Sequence, residues 1–229
     1  MCGRFALFSN INTITKFADL IAEDVDWTPR YNLSPGSKIV SIIAEQTVKK
    51  LTFLEWGYSS SQVSHQGKQS SSYLIINTRA DTIVERGSFD VELRCLIPAN
   101  GFYEWEKENK QPYYFTLDDE ELFFLAGTYN FYGLGSKDKK GGKCSIVTTT
   151  ANEIVEPIHH RMPVIIEPSR VESWLKTDDW DEVLRNFEPY PAEKMSSRPV
   201  SRRVNSTKND DPSLIDYYTP TEEILYLDF

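Results

Sequence analysis

Residues 94–106 read RCLIPANGFYEWE, and the fold class turns on this stretch. Two β-prone runs flank Pro98-Ala99-Asn100-Gly101, a cluster of turn residues. In the second run Glu104 stands between Tyr103 and Trp105. Side chains alternate across a strand, so Glu104 faces away from both aromatics. If that face lines a pocket, desolvation raises the carboxyl pKa and suits it to proton transfer. If it meets solvent, Glu104 is an ordinary strand glutamate, the commoner fate of the residue type. The residues alone leave both readings open.

Working outward, residues 113–117 and 122–126 read as a second hairpin with the acidic run 118–121 at its tip. Further β-type runs are 38–44, 51–56, 144–149 and 162–167. Ser9 or Asn10 can cap a helix whose apolar face is Ile11, Ile14, Phe17 and Ile21. Residues 169–176 and 180–187 also look helical. Residues 28–36 (TPRYNLSPG) read as a Pro-rich loop, 59–72 as a Ser-rich surface loop, and 133–143 as a Gly/Lys loop. Strands outnumber helices and come in runs without regular β-α alternation. The expected class is α+β, with a mainly antiparallel, curved or barrel-like sheet and flanking helices. The 59–72 loop is too short for a linker, so the expectation is a single domain over 2–229, without internal repeats.

The 229 residues are 40% apolar and 13% aromatic, enough for an ordered core. No apolar run reaches the length of a signal or a membrane span, so the expectation is a soluble, cytoplasmic protein, and it is expected to act as a monomer. Cys2, Cys95 and Cys144 are odd in number and far apart, which argues for reduced thiols. There is no CxxC or HExxH, and of His65, His159 and His160 two are adjacent, so neither metal nor cofactor is expected. A net charge of −9 speaks against whole-surface binding of nucleic acid but not against a local site. Residues 196–208 carry Arg198, Arg202, Arg203 and Lys208 with no acid. Such a run is most often a solvated face.

The small side chain of Cys2 favours removal of Met1 by an aminopeptidase. The chain then starts with an amine and a thiol on neighbouring carbons. These titrate near about 8 and about 8.5, so both are partly deprotonated at neutral pH. The amine can condense with an aldehyde, and the thiol can close a five-membered thiazolidine ring. The alternatives are an N-terminal nucleophile hydrolase, or a cysteine without function. Elsewhere, His159 can act as a general acid or base near neutrality, or merely sit on a loop. Arg4, Arg79 and Arg161 can clamp phosphates or form surface ion pairs. Asn77 can orient a substrate oxygen or cap a turn.

Taken together these segments resemble the SRAP (SOS response-associated peptidase) family. Its MCGR start is matched at residues 1–4, and its [IV]NxR[AS] segment by Ile76-Asn77-Thr78-Arg79-Ala80. Its RCLIPAxGFYEW segment is matched at 94–105, HxRMP at 159–163 and PVSxxVN at 199–205, in the family's order. The resemblance implies action on abasic sites, chiefly in single-stranded DNA. An exposed N-terminal Cys traps the open-chain aldehyde as a thiazolidine. It implies Cys2 as the covalent nucleophile, Glu104 as acid/base, and His159 as the group that protonates the sugar ring oxygen. Asn77 then positions Cys2 and the sugar. Arg4, Arg79 and Arg161 hold phosphates, and Trp56 belongs to a segment that contacts DNA. It further implies association with the nucleoid when bound, weak abasic lyase activity, and cleavage of the Met1–Cys2 bond. The chain departs from the pattern after Trp56: where the family reads WGLxPxW, this sequence has Trp56-Gly57-Tyr58-Ser59-Ser60, preceded by Glu55 instead of a basic residue. Two rival readings stand beside it: a glutaminase-type amidohydrolase, and a non-catalytic single-strand reader using Trp56, Trp105 and arginines.

Overall fold

The 94–106 stretch does not pair with itself. It is a corner at which a strand leaves one sheet for another. The computed structural model describes residues 2–20, 26–45, 48–60, 73–86, 93–131 and 142–219. Its strands are β1 (Arg4–Leu7), β2 (Arg30–Leu33), β3 (Lys38–Glu45), β4 (Val48–Trp56), β5 (Tyr58–Ser60), β6 (Tyr73–Ile75), β7 (Asn77–Arg79), β8 (Leu93–Ala99), β9 (Gly101–Trp105), β10 (Pro112–Leu117), β11 (Phe123–Phe131), β12 (Gly142–Thr150), β13 (Arg161–Pro163), β14 (Ile165–Ile166) and β15 (Met195–Pro199). The helices are α1 (Ile11–Phe17), α2 (Ala80–Arg86), α3 (Val171–Lys176) and α4 (Trp180–Leu184).

β8 pairs with β3 and β11, whereas β9 pairs with β1 and β10. The hairpin expected over 113–126 is also absent: β10 lies between β9 and β15, and β11 between β8 and β12. Thus β8–β9 and β10–β11 make one long ribbon, closed at the β9–β10 turn, where Lys110 adopts φ 60°. Both arms of the ribbon bend at the same level. Asn100 holds the bend. Its Oδ1 accepts from Phe8 N (2.7 Å) and Ser9 N (3.0 Å), and its Nδ2 donates to Glu121 O (2.7 Å). A Cβ on the next residue, Gly101, would stand 2.2 Å from Tyr114 Cζ, so only glycine fits there. Turn residues mark where a chain bends; they do not specify its next partner.

Sheet order is β15-β10-β9-β1-β2 in one sheet and β13-β12-β4-β3-β8-β11-β14 in the other. In the larger sheet β11 also pairs with β12, closing β12-β4-β3-β8-β11 into a barrel. Pairing is antiparallel apart from β12 with β4 and β12 with β7. The class is therefore α+β with a curved, mainly antiparallel sheet, as expected. β1 shows how the layers meet: Phe5 and Leu7 enter the main core, while Ala6 joins Tyr103, Tyr114, Val200, Val204 and Leu214 in a second cluster. On β9, Phe102 faces the main core and Tyr103 the second cluster, so alternation turns Glu104 toward the Phe102 side.

Asn10 caps α1, accepting from Thr13 N at 2.9 Å. Ile21 of the expected apolar face lies outside the described residues, as do 61–72 of the Ser-rich stretch with His65, and 133–141 of the Gly/Lys stretch. The expected helix 169–176 is a 3-10 turn (Pro168–Arg170) followed by α3, which docks on β8 through a bond from Trp174 Nε1 to Cys95 O (2.9 Å).

Candidate active site

Antiparallel pairing of β1 with β9 sets Arg4 opposite Tyr103, so residues 2 and 3 run out alongside Glu104 and Trp105. Glu104 is 3% exposed, which removes the solvent-facing reading. Burial pushes its carboxyl up to about 7, against a smaller downward pull from the Trp105 main chain. The Cys2 side chain is fully buried as well. Burial first, and then the nearby Glu104 charge, push its thiol far above the ordinary range. The exposed thiol implied by the resemblance is thus not what the chain presents, because the strand carries Cys2 into the core edge. Asn77, on β7 beside Ile146 of β12, donates from Nδ2 to Cys2 O at 3.0 Å. Its Oδ1 is buried with no hydrogen-bond partner.

His159 lies two residues before β13 and is half-buried. Its Nδ1 is 3.0 Å from the Arg161 N–H and 3.1 Å from the Arg161 carbonyl. The neutral ring can therefore accept from the amide, and the protonated ring can donate to the carbonyl. Burial lowers its pKa, and the amino-terminal charge lowers it further.

The residues expected to meet DNA divide sharply. Trp56 is fully buried, edge-on to Phe5 at 5.3 Å, with Nε1 donating to Ile76 O at 2.9 Å. It offers no ring to a base; it anchors the backbone just before Asn77. Arg161 is 6% exposed, and its Nη2 donates to Asp81 Oδ1 (3.0 Å) and Thr148 O (2.6 Å). Arg4 is half-buried, with Nη1 donating to Asn32 Oδ1 (2.7 Å) and Val204 O (2.8 Å). Arg79 is the outward one, its side chain 58% exposed and paired with Asp81. In the 196–208 run, Arg203 pairs with Asp211 and Arg198 donates to Ile215 O, so much of that charge is internally bonded.

The residue patterns gave no warning of Asn32 or Asp81. Asn32 lies within the stretch read as a Pro-rich loop, but that stretch contains β2. Its Nδ2 donates to Val204 O (3.2 Å), Ser206 O (3.0 Å) and Asn209 O (2.7 Å), pinning the chain beyond β15 across β1 and β2. Local sequence carries no signal for such partners about 175 residues away. Among the described residues, no three His, Cys, Asp or Glu side chains are grouped to hold a metal ion, and no helix is long and apolar enough to cross a membrane.

A model of the SOS response associated peptidase (SRAP) family matches residues 1–207. The abasic site processing protein YoqW of Bacillus subtilis is 36% identical over 226 residues, covering 94% of this chain and 99% of that protein. The abasic site processing protein HMCES of Gallus gallus is 29% identical, covering 82% of this chain and 66% of that protein. A solved structure of a protein from Bacteroides thetaiotaomicron superposes with a TM-score of 0.75 at 24% identity, covering 95% of this chain and all of that one.

Proposed function

Because this chain belongs to the SRAP family, we propose that it processes abasic sites in DNA, capturing them covalently in single strands through Cys2 once Met1 is removed. The observation that carries the reading is the meeting of Cys2, Asn77 and a buried Glu104 poised near neutrality at one strand end.

The abasic sugar is mainly a closed hemiacetal. In the proposed sequence His159 donates a proton to the ring oxygen as the C1′–O4′ bond breaks, and the C1′ hydroxyl loses its proton to give the aldehyde. The Cys2 amine adds to C1′, and Glu104, half protonated near pH 7, protonates the departing hydroxyl; water leaves and an imine remains. The thiol sulfur then attacks C1′, its proton passing to nitrogen, and the thiazolidine closes. The new amine also places positive charge beside the thiol, which favours the thiolate against the burial described above. The unpartnered Asn77 Oδ1 can accept from that amine or from the sugar. Arg79, exposed at the surface, supplies a phosphate contact. An imine not closed by sulfur can undergo β-elimination, the basis for a weak lyase activity. Attack by the same thiol on the Met1 carbonyl would expel the Cys2 amine and leave a thioester, and its hydrolysis by water would release Met1 and return the thiol, which would account for a peptidase activity.

The test is a denaturing gel of the protein, with Met1 removal verified, after incubation with an oligonucleotide carrying one abasic site. A heat-resistant shifted band is expected, absent with Cys2→Ala. No band from the wild type overturns the proposal. Equal binding of intact and abasic strands by wild type and Cys2→Ser alike would indicate a non-catalytic reader.

A further inference from the structure

Asp81 joins two segments that each bear a residue of the proposed site. It stands at the start of α2, which follows directly on β7, the strand of Asn77. Its Oδ1 accepts from Arg161 Nη2 at 3.0 Å, while both oxygens accept from Arg79 Nε at 3.2 and 3.1 Å. Arg161 opens β13, and its own N–H and carbonyl frame Nδ1 of His159. β7 and β13 both lie along β12, where Thr148 is opposite Arg79 on one side and Pro163 on the other. The Asp81–Arg161 pair thus spans the strand that separates them.

The burial contrast gives this pair its weight. The Arg161 side chain is 8% exposed and that of Asp81 44%. A buried guanidinium needs a counter-charge as well as hydrogen bonds. Thr148 supplies the bonds and Asp81 the charge. Without the carboxylate, the guanidinium is drawn outward to water, and the main chain that frames the imidazole is drawn with it.

We propose that Asp81 is a positioning residue for His159, acting through Arg161. This rests on the reading of His159 as the proton donor in sugar opening.

The experiment measures single-turnover crosslinking against DNA concentration for the wild type, Asp81→Asn, Asp81→Glu, His159→Ala and the Asp81→Asn/His159→Ala double variant. It also records the His159 imidazole resonances of the free protein. Asp81→Asn is expected to lower the limiting rate about 10- to 100-fold, the cost of a small misplacement of a reacting group. The half-saturating DNA concentration should not rise, since the same change relieves Arg79 of its paired carboxylate, Asp81→Glu should restore most of the rate, and the double variant should be no slower than His159→Ala. The His159 resonances should move in Asp81→Asn. Multiplying effects, a wild-type rate, a loss confined to half-saturation, or unmoved resonances would each overturn the inference. A wild-type rate in His159→Ala, with resonances that do respond to Asp81→Asn, would instead sink the catalytic reading of His159 and leave the positioning intact. Asp81→Ser carries the same predictions should Asp81→Asn not fold.

Discussion

Two buried polar clusters hang from the first strand, and they are built in opposite ways. On one side Arg4 and Asn32 meet the carbonyls of Val204, Ser206 and Asn209, and the bonds between them run from 2.7 to 3.2 Å. On the other, Cys2 and Glu104 are equally buried, yet desolvation outweighs the hydrogen bonds that reach them and drives both pKa values up. Burial of polar groups therefore does not by itself mark a reactive site. A cluster whose hydrogen bonds tie distant segments together, without a group near neutrality, is a strut. A cluster with one member displaced toward neutrality, as Glu104 is here, can move protons.

Glu104→Gln breaks the comparison hardest. Crosslinking should slow by about 10²- to 10⁴-fold, the usual range for lost acid–base catalysis. The same variant should be more stable than the wild type above neutrality. The carboxyl ionises near about 4.3 in the unfolded chain and near 7 in the folded one, so the folded state keeps the proton across that window. Stability contributed by this group is full below about 4.3 and is lost as pH rises through 7, by on the order of 3 kcal/mol. Glutamine abolishes that loss. Denaturant melts at pH 5 and pH 8 should show the wild type weakening and the variant not.

Asn32→Ala tests the strut. It removes the Nδ2 bonds to three main-chain carbonyls, of which Val204 O keeps Arg4 and Ser206 O keeps Asn209 N, and it takes Asn32 Oδ1 from Arg4; it should cost about 2–4 kcal/mol in urea unfolding. Below the unfolding midpoint its pH–rate profile should match the wild type. Trp56→Phe should cost about 1–2 kcal/mol through the lost bond to Ile76 O, with affinity for intact single strands unchanged because the ring is buried. The smallest effect is expected from Arg79→Gln, which should reduce the salt dependence of single-strand binding by about 0.7 in log–log slope, one phosphate contact.

Strand-rich α+β architecture was legible because alternation and turn residues are local. So were Cys2, Asn77, Glu104 and His159 as candidates, since each lies in a short patterned segment. The pairing of β8 with β11 and of β9 with β10 was not legible, because a corner and a hairpin use the same residues. The burial of Trp56 and Arg161 was equally hidden. An arginine before Met-Pro reads the same whether it faces phosphate or an aspartate 80 residues away. Asn32 could not be found, since its partners come from the far end of the chain.

The intact mass of the crosslink tests the central claim most directly. After denaturation, the wild-type adduct should weigh the protein without Met1 plus the abasic oligonucleotide less one water, and Cys2 should resist alkylation because its sulfur is in the ring. An unmodified protein mass, or an adduct in which Cys2 still alkylates, would contradict capture by amine and thiol together.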